Sequence, residues 1–117
     1  MRYLMLILGD EKQWEKLSEK DMAAMYEQYG AFSEEIAKKA RNVSGDELHP
    51  TAMAARIRVR DGKPRVTDGP FTEVKEVVGG YYLFDAETRE EALALAAKCP
   101  GARTGTIELY AVKPMPG

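Results

Sequence analysis

This chain has little of what most catalytic or metal centres are built from. It has one cysteine, Cys99, one histidine, His49, and one tryptophan, Trp14, among 117 residues. A single cysteine excludes an intrachain disulfide. One histidine with one cysteine cannot supply a zinc site within one chain. The carboxylates lack the spacing of a calcium loop, and there is neither a phosphate loop nor a GxGxxG fingerprint. No cofactor or metal is therefore expected. No apolar run approaches the length of a membrane span. The run Tyr3–Leu8 is too short for a signal segment and lacks a cleavage-like continuation, so a cytoplasmic location is the default expectation. A surplus of one charge is also missing: 17 basic against 19 acidic side chains leave a net charge of −2. That balance gives no general attraction to nucleic acid or to an anionic membrane. Cys99, followed by Pro100 at an expected helix end, reads as a reduced, buried, small apolar residue rather than a nucleophile.

What is present is an ordinary globular composition, 44% hydrophobic and 31% charged, in a length that fits one domain with its own core. Residues 2–8 form a continuous apolar run closed by Gly9-Asp10, the pattern of a strand buried on both faces. A polar connection holding Trp14 follows, with Trp14 expected to pack back on the core or to line a pocket mouth. Ser18 reads as an N-cap with Asp21 at the third helical position. Beyond it, Met22, Met25, Tyr26, Tyr29, Phe32, Ile36 and Ala40 recur at three- and four-residue steps, giving an amphipathic helix with one buried stripe. Gly30 inside that helix costs about 1 kcal/mol relative to alanine, a cost that close packing on a sheet would explain.

Asn42–Thr51 reads as a loop because Asn, Ser-Gly-Asp and His-Pro all break regular structure. The next segment alternates, with Met53, Ala55, Ile57 and Val59 on one face and Arg56, Arg58 and Arg60 on the other. Asp61-Gly62 is the signal of a two-residue hairpin turn, which pairs Arg60 with Lys63, Val59 with Pro64, Arg58 with Arg65 and Ile57 with Val66. Pro64 cannot donate to a ladder, so its strand is an edge. Val77–Phe84 is a further strand with apolar residues on both faces, and its Gly79-Gly80 pair reads as a bulge or a close backbone approach. Thr88-Arg89-Glu90-Glu91 is a capping box opening a second helix. Gly105–Val112 is the last strand, and residues 113–117 form a Pro-rich tail.

This order is the α+β, split βαβ pattern of a ferredoxin-like βαββαβ domain with an extra hairpin strand. Its first and third main strands would be central, with both helices on one face. Those strands are apolar on both faces, and a bare apolar sheet face exceeds what a soluble monomer tolerates. A homodimer packed through the sheet faces is the simplest solution, and a ligand-filled face is the alternative.

The candidates for chemistry are few. His49 is the one side chain that titrates near neutrality by default, although a surface loop histidine is the plainer reading. Asp68 could orient a histidine or bind a cation if Gly69-Pro70 folds it back; an Asx turn explains the same residues. Phe71, Glu73, Lys75, Tyr81 and Trp14 complete the candidate ligand-binding set. The cationic hairpin face calls for compensation by Glu73, Glu76 or a helix carboxylate. It lacks the aromatic side chains that nucleic-acid recognition adds, so no nucleic acid is expected as a partner.

At Asp68-Gly69-Pro70-Phe71 the chain resembles the YCII-related proteins, and among them the bacterial DGPF-domain group. The resemblance extends over nearly the whole length. It includes the opening Tyr-Leu-Met-Leu-Ile-Leu-Gly-Asp with Trp14, then Tyr29-Gly30-Ala31-Phe32, Val59-Arg60-Asp61-Gly62-Lys63, Lys75-Glu76, Gly79-Gly80-Tyr81-Tyr82 and Gly105-Thr106-Ile107-Glu108. It implies a dimeric α/β barrel built on the ferredoxin-like fold. It implies little about activity: the wider superfamily includes proposed enzymes with a His–Asp pair, and some DGPF proteins are linked to sigma factors. The residues themselves are read first as a dimeric small-molecule-binding protein or acid–base enzyme, with Asp68 and His49 as the acid–base candidates, and alternatively as a non-enzymatic regulatory protein of the sigma-factor-linked kind.

Overall fold

A computed structural model of the chain describes residues 1–116; the last residue of the expected tail, Gly117, lies outside the described residues. The elements run β1 (Arg2–Gly9), α1 (Glu11–Glu15), α2 (Glu19–Lys39), β2 (Arg41–Glu47), a 3-10 turn (Thr51–Met53), β3 (Ala55–Arg60), β4 (Lys63–Asp68), β5 (Val77–Asp85), α3 (Arg89–Ala97), α4 (Gly101–Thr104) and β6 (Thr106–Ala111). The order β2-β5-β1-β6 makes one four-stranded sheet, antiparallel throughout, and β3-β4 make a separate two-stranded one. The mixed α+β architecture is compatible with a ferredoxin-like domain, with β1 and β5 central as the strand pattern demands.

The helix starts follow from their caps. Ser18 Oγ accepts the Asp21 N–H at 3.1 Å, and Thr88 Oγ1 accepts the Glu91 N–H at the same distance. Each satisfies one of the first-turn donors that an α-helix leaves unpaired. Alternation along β1 sends Tyr3, Met5 and Ile7 to one face, where they form a continuous core with Phe32 and Ile36 of α2, Phe84 of β5 and Ala92 and Leu95 of α3. Both long helices therefore cover the same sheet face. Leu4, Leu6, Leu8 and Leu83 alternate to the other face and are only half-buried. The molecule measures 48 × 46 × 18 Å. The short dimension has room for one helix layer on one sheet and not for a third layer.

The hairpin adopts the expected register: Arg60 faces Lys63, Val59 faces Pro64, Arg58 faces Arg65 and Ile57 faces Val66. Asp61 and Gly62 at its tip have φ of +54° and +74°, as a two-residue hairpin turn requires. Gly79 is the bulged residue of β5, since Ile7 pairs with Gly80 and Leu8 with Val78. Cys99 is free and fully buried, and burial pushes its thiol pKa up.

Three expectations are corrected. Residues 41–47 are not loop but β2, the edge strand that fills the second main position of the sheet; the hairpin does not join that sheet. Apolar alternation is absent from β2 because only Val43 packs on the core, while one face and the outer edge stay in solvent. Gly45 does not break the strand; a Cβ there would overlap the Tyr81 carbonyl oxygen, so glycine is what lets β2 approach β5. Asn42, at φ +51°, sits in a register irregularity between Arg41 and Ser44 and donates its amide to Asp85 at 2.7 Å. The connection after β1 contains the short helix α1, with Asp10 accepting from the Lys12 N–H. Finally, Gly30 is exposed and a Cβ there would meet nothing within 4 Å, so close packing does not account for it.

Candidate functional site

The apolar stripe of α2 divides in two. Its C-terminal half, with Phe32, Ile36 and Ala40, is core. Its N-terminal half is not: Met22 is 39% exposed and Tyr26 is 51% exposed. These residues, with Met25 and Tyr29, instead wall a cavity of about 920 Å³ at the end of the sheet. The remaining walls come from β1 and α1 (Ile7 to Leu17), the end of β2 and the segment after it (Gly45 to Pro50), Val78–Tyr82 of β5, and the Pro100–Thr104 turn. Its volume is in the range of small-molecule sites.

Trp14 crosses one wall. A Cβ at Gly79 would lie 2.6 Å from its ring, and a Cβ at Gly9 would overlap it. The β5 bulge and the glycine ending β1 thus leave the gap into which the indole fits. Trp14 packs against the glycines of β1 and β5 and lines the cavity, outside the core cluster.

Four phenols reach the cavity, and each is held protonated well above neutral pH. Hydrogen bonding to the Glu47 carboxylate raises Tyr26, whose hydroxyl donates to Glu47 at 2.9 Å. Tyr81 is raised likewise through Asp46, to which it donates at 3.1 Å. Burial raises Tyr29 and Tyr82. Tyr82 shares a 2.6 Å hydrogen bond with Ser33. The Cys99 thiol donates to Tyr29 Oη at 3.9 Å. The Tyr29 proton has no protein acceptor among the described residues, so this phenol can donate to a bound molecule. Charge on the lining is lopsided: Asp10, Glu11, Glu15, Asp46 and Glu47 against Arg103, with His49 at the exposed side.

The structure separates the candidate residues into two groups. His49, Tyr81 and Trp14 line the cavity; Asp68, Phe71, Glu73 and Lys75 do not. Asp68 ends β4, exposed, and its carboxylate makes no hydrogen bond among the described residues. Lys75 is exposed. Phe71 lies beneath Arg56, whose guanidinium carbon is 3.8 Å from the ring centroid, and the same guanidinium bonds Glu73 Oε1 at 2.7 Å. The expected compensation of the cationic hairpin by Glu73 is present for Arg56. Glu76 instead accepts from Thr106 at 2.8 Å.

The two groups are joined by a residue that sequence reasoning passed over. Thr51 is the one buried polar side chain among the described residues. Its N–H and hydroxyl donate to the two oxygens of Glu11 at 2.7 and 2.6 Å, and its Oγ1 accepts the Phe71 N–H at 3.1 Å. Gly69 completes the joint. Its N–H donates to the Ala54 carbonyl at 2.8 Å, its peptide to Pro70 is cis, and a Cβ would overlap the Thr51 carbonyl. The Asp-Gly-Pro-Phe stretch is therefore bound through Thr51 to α1, the helix that carries Trp14. No local signal marked Thr51, because its partners lie 40 and 20 positions away.

No group of three or more His, Cys, Asp or Glu side chains that could hold a metal occurs among the described residues, nor does a helix long and apolar enough to cross a membrane. The chain is similar to the "Uncharacterized protein R00369" of Rhizobium meliloti (strain 1021), with 30% identity over 115 residues that cover 98% of this chain and 92% of that protein. The model of the YCII-related domain matches residues 1–116. The chain thus belongs to the YCII-related domain family.

Proposed function

We propose that this protein is a dimeric small-molecule-binding protein, of the DGPF type by its 68–71 tetrapeptide, and that the ligand enters the cavity beside Trp14. The observation that carries this is the open apolar half-stripe of α2. Met22, Met25 and Tyr26 would be core in a closed helix–sheet sandwich, yet here they face a space of about 920 Å³. The chemistry of the walls selects a ligand with an aromatic or apolar body, a hydrogen-bond acceptor for Tyr29, and a cationic or donor-rich end for the Asp46–Glu47 side. If the protein also performs acid–base chemistry, His49 is the cavity residue suited to it. Asp68 is then assigned to the hairpin root. The dimer reading rests on the half-buried Leu4, Leu6, Leu8 and Leu83 on the face the helices leave uncovered, which a second sheet would cover.

The test uses N-phenyl-1-naphthylamine, a neutral aromatic probe, and Trp14 as the donor of energy transfer to it. Saturable transfer at micromolar probe supports the reading. Competition should then favour 1-naphthylmethylamine over 1-naphthylacetate roughly three- to tenfold, the scale of exposed charge pairing. Absence of saturable transfer, with the protein folded, would overturn the cavity as a binding site.

A further inference from the structure

The register of the hairpin places Ile57, Val59, Pro64 and Val66 on one face and Arg58, Arg60, Lys63 and Arg65 on the other. Neither face is covered. Ile57 is 66% exposed, Val59 59% and Val66 62%, and no hairpin residue joins the core. A lone two-stranded hairpin is marginal in water, and three adjacent exposed β-branched residues are a patch rather than scattered surface. The hairpin is nonetheless held at its root, by the Gly69–Ala54 backbone hydrogen bond and by Arg56 clamped between Phe71 and Glu73. A rigid root with a bare apolar blade is the form of an arm.

We propose that this hairpin is a dimerisation arm, its apolar face packing on a second copy of the chain. The inference rests on the dimer reading and adds a second contact region to it. Three observations favour another copy as the occupant. The radius of gyration is 16.2 Å, where a compact chain of this length has roughly 13 Å. The molecule is only 18 Å thick, so the arm extends sideways within the slab and does not fold over its own sheet face. Charge is unevenly divided along the chain. Residues 55–68 carry five basic and two acidic side chains, net +3, leaving the rest of the chain at −5 of its total −2. Within the hairpin, Arg58 opposes Arg65 and Arg60 opposes Lys63, like-charge pairs that a neighbouring acidic surface would relieve. A nucleic acid would leave the apolar face uncovered.

The experiment is sedimentation equilibrium on the full chain, comparing wild type, the double variant Ile57→Ser with Val66→Ser, and Leu4→Ser on the open sheet face. Positions 57 and 66 are solvent-exposed in the single chain, so the double variant should keep the wild-type circular dichroism and Trp14 emission. The arm predicts a dimer Kd raised roughly thirtyfold or more in the double variant. A double variant with the wild-type Kd overturns the arm while leaving the sheet-face dimer standing. A Leu4→Ser chain that dimerises normally beside a dissociated double variant overturns the sheet-face contact and keeps the arm. A wild type that is monomeric at micromolar concentration overturns both.

Discussion

The 68–76 loop and the cavity beside Trp14 are both built around aromatic side chains and carboxylates, yet only the cavity leaves an open space between them. In the loop the groups are spent on each other. Phe71 lies under Arg56, Arg56 pairs with Glu73, and the Phe71 N–H is taken by Thr51. In the cavity Tyr26 and Tyr81 also donate to carboxylates, Glu47 and Asp46, but they still line open space, and the Tyr29 proton is unclaimed among the described residues. The loop is one continuous stretch of unusual sequence; the cavity is drawn from segments spread between Ile7 and Thr104. Local distinctiveness here reports a constraint on the backbone, whereas the cavity walls come from side chains that look unremarkable one at a time. Thr51 and Glu11 connect the two, so the loop supports the cavity wall without entering it.

Gly69→Ala should break the loop most severely. Its Cβ would overlap the Thr51 carbonyl, a backbone atom that cannot turn aside, and the loss should be about 3 kcal/mol or more in urea unfolding. An unchanged stability would show that the loop is not held against Thr51 as described. Thr51→Val tests the link itself. It removes the hydroxyl between Glu11 and the Phe71 N–H, leaving both short of a partner, and should cost about 1–3 kcal/mol. It should also shift Trp14 emission, because α1 loses its tie; a destabilised variant with wild-type emission would confine Thr51 to the loop. Gly30→Ala sharpens the comparison from outside both regions. The site is exposed and open, so the helix should gain about 1 kcal/mol with probe binding unchanged. If affinity rises with stability, binding reports global order rather than a site.

The parts of the fold written in short-range patterns were legible. Ser18 and Thr88 announce their helices because the capping oxygen needs only the N–H three residues on. Asp61-Gly62 fixes the hairpin register because its φ values demand those residue types. Strand β2 was illegible for a matching reason: an edge strand with Val43 alone on the core has no alternation to read, and Gly45 signals a turn while serving a close approach. The cavity was half legible. Trp14, Tyr81 and His49 stood among the candidates, but Met22, Met25 and Tyr26 read as core because helical spacing is the same whether the stripe meets a sheet or a void. Thr51 could not be read at all, since its role exists only when residues 11, 51 and 71 meet.

The central claim is that binding belongs to the cavity and not to the loop carboxylate. It is tested most directly by titrating N-phenyl-1-naphthylamine into Gly79→Val and Asp68→Asn side by side with the wild type. A side chain at position 79 collides with the Trp14 ring from 2.6 Å outward and should weaken the probe roughly tenfold or more, while Asp68→Asn should leave its Kd unchanged. Loss of binding in Asp68→Asn with retention in Gly79→Val would contradict the account.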